Sequence, residues 1–162
     1  MTSLVKDFAG LFSGNLRSYG QWDPASGNMI TEKGEVRIED YENHINGKMG
    51  LGIVPITDGG TCLFGAIDVD KHDTPEDIDF RAIADRIREY RLPLVMCRTK
   101  RGGAHLYLFG QEYLPAKQVQ RILTSWRDML EIRYKTEIFP KQDSLVTSGG
   151  EKALGNCINL GY

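Results

Sequence analysis

Residues 61–70 read TCLFGAIDVD, an apolar run that ends in two aspartates, Asp68 and Asp70. Its composition fits a buried strand, bounded upstream by the turn Asp58-Gly59-Gly60. Downstream, the segment DTPED places Thr74 as N-cap, Pro75 at the first helical position and Asp77 as the capping-box acid. Phe80, Ile83, Ile87 and Tyr90 then recur at helical spacing, which predicts a helix from about 75 to 91. Leu94–Thr99 reads as a strand, Lys100–Gly103 (KRGG) as a tight turn and Ala104–Phe109 as a strand, together a hairpin. Pro115 opens a second helix whose apolar stripe is Val119, Ile122, Leu123, Trp126, Met129 and Leu130, and Thr136–Phe139 is a last short strand stopped by Pro140.

From Thr61 onward the order is therefore β-α-β-β-α-β, an α+β class of fold in the ferredoxin-like (RRM-like) arrangement. In spatial order 4-1-3-2 the first strand lies between the third and fourth. Both helices cover one face, leaving the other free for a site. Upstream, Pro24, Gly27, Asn28 and Gly34 punctuate a turn-rich segment, a helix is expected around Ile38–Ile45, and Gly50–Ile56 is apolar. The expected organisation is a single domain over 1–162: an N-terminal flanking α/β module (1–60), the core (61–140) and a C-terminal segment (141–162).

Composition limits what this chain can be. At 162 residues, 41% of them hydrophobic, it can bury roughly 70% of its unfolded surface and needs no staples. Twenty basic residues against 22 acidic ones give a net charge of -2, which argues against a nucleic-acid coat protein or a polybasic membrane binder. Cys62, Cys97 and Cys157 are scattered, with no C-x-x-C pair, so a reduced, cytoplasmic compartment is expected, without zinc. No apolar run approaches the roughly 20 residues of a membrane span, so no membrane partner is expected.

Strand alternation sorts the side chains. Leu63, Ile67 and Val69 face the helices, as do Leu106, Leu108 and Ile138. Asp68 and Asp70 fall on the open face with His105, Tyr107 and Phe109 of the third strand and Glu137 and Phe139 of the fourth. Three acids and a histidine thus converge from three adjacent strands. Packed carboxylates repel one another unless a cation neutralises them, and oxygen-only ligation suits Mg²⁺ or Mn²⁺. Two such ions could clamp a phosphate. Arg98, Lys100 and Arg101, with the amides of Gly102 and Gly103, offer a cradle for a polyphosphate, and the whole reads as nucleotidyl transfer.

Each piece has a plainer reading. D-x-D pairs are often solvated acids at strand ends, but here the pair ends GAIDVD, where idle acids would be costly. Glu137 alone reads as a surface residue and His105 as a half-buried histidine; the position of His105 after KRGGA favours a ligand role. The stripe containing Trp126 and Met129 is core. Lys117, Arg121, Arg127, Arg133 and Lys135 read as a solvated face, and His44 and His72 as unassigned surface residues.

At GLGIVP, FGAIDVDKH, CRTKRGGAHLYLF, EIFPKQ and GNCINLGY the sequence resembles the archaeo-eukaryotic primase superfamily, specifically the primase-polymerase domains of TOTE conflict systems, phage replication proteins and CRISPR-associated enzymes. The resemblance implies an RRM-like catalytic sheet. It implies that Asp68 and Asp70 are the D-x-D metal motif, Glu137 the third acid and His105 the nucleotide-binding histidine, with Lys141 contacting template or phosphate. It further implies two Mg²⁺ or Mn²⁺ ions, nucleoside triphosphates (NTP or dNTP), a single-stranded DNA template and primer, and a helicase or other replication protein as partner, in a bacterial cytoplasm or encoded by a phage. Arg101 stands where relatives commonly carry serine, and the end at Asn159-Leu160-Gly161-Tyr162, without the usual continuation, reads either as a protein that works with partners or as a truncated or minimal form. A non-catalytic nucleotide- or nucleic-acid-binding module and a metal-dependent nuclease are the alternatives.

Overall fold

The computed structural model describes residues 2–71, 77–147 and 150–161. The elements run α1 (Ser3–Leu11), β1 (Ser18–Asp23), β2 (Asn28–Lys33), α2 (Ile38–Ile45), β3 (Leu51–Ile53), β4 (Thr61–Asp70), α3 (Phe80–Glu89), β5 (Val95–Arg98), β6 (Ala104–Pro115), α4 (Ala116–Met129), β7 (Lys135–Phe139) and β8 (Ile158–Asn159). They form an α+β structure with two four-stranded sheets, β2-β1-β3-β8 and β5-β6-β4-β7, every pairing antiparallel. In the second sheet β4 lies between β6 and β7, as the expected neighbour relations require.

The helix after β4 begins later than the sequence suggests. Asp79 is its N-cap, accepting from the Ala82 amide at 2.9 Å, so the helix starts at Phe80. Ile78, only 5% exposed, pins the chain just before it. The expected cap at Thr74 and helical start at Pro75 lie outside the described residues; Asp77 is not a capping-box acid but an exposed partner of Lys71. Within α3, Ile83 and Ile87 are buried, and α4 buries Val119 and Leu123 on the same side of the sheet. Gly65 permits that approach: a Cβ there would stand 2.5 Å from a methyl of Val119 and 2.8 Å from the Phe139 carbonyl oxygen.

Two cores flank the β4 sheet. Ile67, Val69 and Leu106 pack with α3 and α4, whereas Phe64, Ala66, Tyr107 and Phe139 pack with Phe12, Tyr41, Leu51, Ile53 and Ile158. The face expected to be free is therefore covered along most of its length by the N-terminal module and β8. The sequence contains the reason: that face carries Phe64, Tyr107 and Phe139, whose exposure together would leave a large apolar patch. Parity also fails at Leu63. The register shifts between Cys62 and Phe64, so Cys62, not Leu63, faces the helices.

The first sheet contains strands that the turn-rich reading passed over. Asp23 accepts from the amides of Ala25 (3.0 Å) and Ser26 (3.1 Å), and Gly27 takes φ 68°, so the punctuation is the tip of the β1–β2 hairpin. The C-terminal segment returns to this sheet through β8, with the Leu160 amide donating to the Leu51 carbonyl at 2.8 Å. His44, expected at the surface, is 1% exposed, its ring nitrogens each 3.2 Å from the carbonyl oxygens of Met49 and Gly161. Among the described residues no helix is long and apolar enough to cross a membrane.

Candidate active site

At one end of the β4 sheet the second core stops and polar residues take over. Asp68 pairs across the strands with His105 on β6 and with Glu137 on β7, and Asp70 pairs with Lys135. The antiparallel register thus sets His105, Asp68 and Glu137 in one row. His105 Nε2 lies 3.4 Å from Asp68 Oδ1, and the histidine is only 5% exposed.

The other side of the ring is fixed from beneath. His105 Nδ1 is 2.9 Å from the Tyr107 hydroxyl, which donates to the Asn159 carbonyl at 3.3 Å and accepts from the Gly161 amide. Burial pushes the Tyr107 phenol upward, so it keeps its proton. The ring is thus held between the Tyr107 hydroxyl at Nδ1 and Asp68 at Nε2.

The turn between β5 and β6 closes the site on another side. Gly102 adopts φ 83°, and at Gly103 a Cβ would stand 2.4 Å from the Val69 carbonyl oxygen, so only glycine lets the turn press against the end of β4. The amides expected to cradle phosphate are used inside the turn: Gly102 N–H donates to the Thr99 carbonyl at 3.2 Å and Gly103 N–H to Thr99 Oγ1 at 3.1 Å. What the turn presents is side chains. The Arg98 guanidinium sits 4.7 Å over the Phe80 ring, and that of Arg101 lies 6.0 Å from the centre of the Trp22 ring.

These groups line a cleft of about 660 Å³, within the range of small-ligand sites. Asp68, Asp70, His105, Arg98, Lys100 and Arg101 are part of its lining. Trp22, Asn28 and Met29 of the β1–β2 hairpin and Asn159–Gly161 line it as well. Glu137 and Lys141 are not part of this lining. The Glu137 carboxylate is held by Lys141 Nζ at 2.7 Å, and that ammonium also lies 5.0 Å over the Phe139 ring. Lys141 thus meets the third acid, not an open phosphate site. Among the described residues no three His, Cys, Asp or Glu side chains gather closely enough to hold one ion between them. The pair Asp68 and Asp70, two carboxylates on one face of a strand at a cleft, is nonetheless a donor set that fits Mg²⁺ or Mn²⁺, which take oxygen ligands and keep several waters.

The wall from β1 and β2 escaped the sequence reading. Its signal is faint: SYGQWD and NMITEK flank a turn, and only the alternation of large and polar side chains marks them as strands.

An antiparallel α+β fold with carboxylates and cations lining one cleft defines the class. The family described as the TOTE conflict system, Archaeo-Eukaryotic Primase domain, matches residues 29–161, and the chain belongs to it. That family is one of primase-like nucleotidyltransferases, with nucleotides and nucleic acids as substrates. No curated protein gives a significant match to the chain.

Proposed function

We propose that residues 1–162 form the catalytic domain of a DNA primase-polymerase, with 61–140 as its RRM-like core. In this reading a primer 3′-hydroxyl, or that of an initiating nucleotide, attacks the α-phosphate of an incoming NTP or dNTP on a single-stranded DNA template. One P–O bond forms and pyrophosphate leaves. Asp68 and Asp70 would hold two Mg²⁺ or Mn²⁺ ions, with Glu137 as third acid once Lys141 releases it. When bound, such ions activate the attacking oxygen and neutralise charge on the leaving group. Arg98, Lys100 and Arg101 balance the polyphosphate charge, and His105 orients it through Nε2, its ring held by Tyr107. A helicase or other replication protein would present the template, in a bacterial cytoplasm or from a phage genome.

The observation that carries this reading is the row His105–Asp68 opening into the same cleft as the cationic turn. The test is incorporation of labelled NTPs or dNTPs on a single-stranded template, with and without primer, in Mg²⁺ or Mn²⁺. Parent-like extension by the Asp68→Ala, Asp70→Ala double variant would overturn the metal assignment. Degradation of primer without added nucleotides would favour a nuclease, and nucleotide binding without incorporation under any metal a non-catalytic module.

A further inference from the structure

The cleft has lining of two different chemistries, and the reaction proposed above uses only one. Lining the same cleft as the acids and cations is Trp22, half-buried on β1, beside its cross-strand partner Met29. Its backbone is anchored: the Trp22 amide donates to the Gly50 carbonyl at 2.9 Å, and a Cβ on Gly50 would stand 2.7 Å from Trp22 Cβ. Glycine at position 50 thus leaves room for the indole's stem. Trp22 precedes the residues 29–161 that match the family.

The Arg101 guanidinium is 6.0 Å from the centre of that ring. A planar base between two planar groups needs about 7 Å, twice a stacking distance of about 3.5 Å. Arg101 is exposed on a long side chain, so a small rotation makes a slot of that width. A nucleotide has the same two-part chemistry as the cleft, an apolar flat base and a polyanion joined by a sugar. We infer that Trp22 is the platform on which the base of the incoming nucleotide stacks, with Arg101 closing over the base's other face and Arg98 and Lys100 left for the phosphates. This rests on the functional reading above, adds to it a base-positioning residue and moves Arg101 from the phosphates to the base. The incoming nucleotide is favoured over a template base because Arg101, on the cationic turn, reaches the same ring.

The chain has two tryptophans, and Trp126 packs against the helix-side core away from the cleft. In a Trp126→Phe background the emission therefore reports Trp22 alone. ATP or dATP should quench it saturably, while inorganic tripolyphosphate, which has no base, should bind by calorimetry without quenching. Trp22→Ala should weaken ATP binding on the order of tenfold, Trp22→Phe clearly less, and neither should change tripolyphosphate affinity. If calorimetry shows ATP bound while Trp22 emission and the Trp22→Ala affinity stay unchanged, this inference fails and the functional reading stands. If neither ATP nor tripolyphosphate binds, both fail together. Quenching by a single-stranded oligonucleotide but not by ATP would give the platform to a template base and overturn the assignment.

Discussion

His105 presents Nε2 to Asp68 Oδ1 at 3.4 Å across the β4–β6 pair. Because the ring is 5% exposed and its other nitrogen is tied to Tyr107, it has little freedom to turn. Tyr107 in turn is fixed by Asn159 and Gly161, so the C-terminal segment sets the orientation of a cleft residue. The chain's last strand is thus part of the site's support.

Removing that support has a defined consequence. Tyr107→Phe keeps the ring in the core but leaves His105 Nδ1 buried without its hydroxyl partner, at a cost of about 1–3 kcal/mol in urea unfolding. If Tyr107 acts by positioning His105, the KM for nucleotide should rise several-fold with kcat less affected. Equal unfolding midpoints and equal KM for variant and parent would show that the hydroxyl does not orient His105.

Asp68→Asn and Asp70→Asn keep side-chain size while removing charge. Each should reduce metal-dependent extension on the order of 100-fold or more, since charge stabilisation at the reacting phosphate is worth several kcal/mol. Thermal unfolding should change little, because neither carboxylate is buried. Variants that melt early would instead assign the aspartates a structural role.

Glu137 and Lys141 form an exposed pair, with side chains 45% and 34% exposed, so Lys141→Ala should cost no more than about 1 kcal/mol of stability. Its informative effect is on the metal. Freed from the ammonium, Glu137 should tighten Mn²⁺ binding, measured by calorimetry, and Glu137→Gln should abolish that gain. A Mn²⁺ affinity insensitive to Lys141 would remove Glu137 from the ligand set.

How much of this was legible in the sequence follows from how local each signal is. β4, α2 and the hairpin β5–β6 were readable because their apolar periods and turn glycines lie within the elements themselves. The row Asp68, His105 and Glu137 followed from strand parity once the order of strands was known. The covered face was not legible, because alternation tells which side Phe64 and Tyr107 take and not what packs there. The Lys141–Glu137 pair depends on how the chain leaves β7, and the Trp22 wall on a hairpin whose strands are too polar to announce themselves. The amides of Gly102 and Gly103 were misjudged because a glycine-rich turn can spend its donors on itself, here on Thr99.

Gly103→Ala tests how tightly that turn seats. With the added methyl 2.4 Å from a backbone oxygen of Val69, something must shift, and the loss should be about 1–3 kcal/mol. Since Lys100 and Arg101 ride on the same turn, tripolyphosphate affinity should fall with it. Gly102→Ala places a side chain at φ 83° and should also destabilise. Unchanged unfolding midpoints would mean that the turn does not press on β4.

The last prediction concerns acid stability, far from the cleft. Asp58 accepts from Arg17 Nε at 2.8 Å and Lys152 Nζ at 2.9 Å, joining the N-terminal module to the C-terminal segment. These hydrogen bonds, Lys152 first and then Arg17, hold its carboxyl at about 2 against an ordinary 3.8. A depressed carboxyl stabilises the fold above its unfolded value, and that contribution is lost as pH falls through the folded value. The Asp58 contribution should therefore be complete above about pH 4 and vanish near pH 2. Its side chain is 35% exposed, so water screens the pair and the contribution should not exceed about 1 kcal/mol. Asp58→Asn should unfold at lower urea than the parent at pH 7, with the difference closing between about pH 4 and pH 2. A difference that stays constant over that interval would mean that Asp58 contributes through its shape and not through its charge.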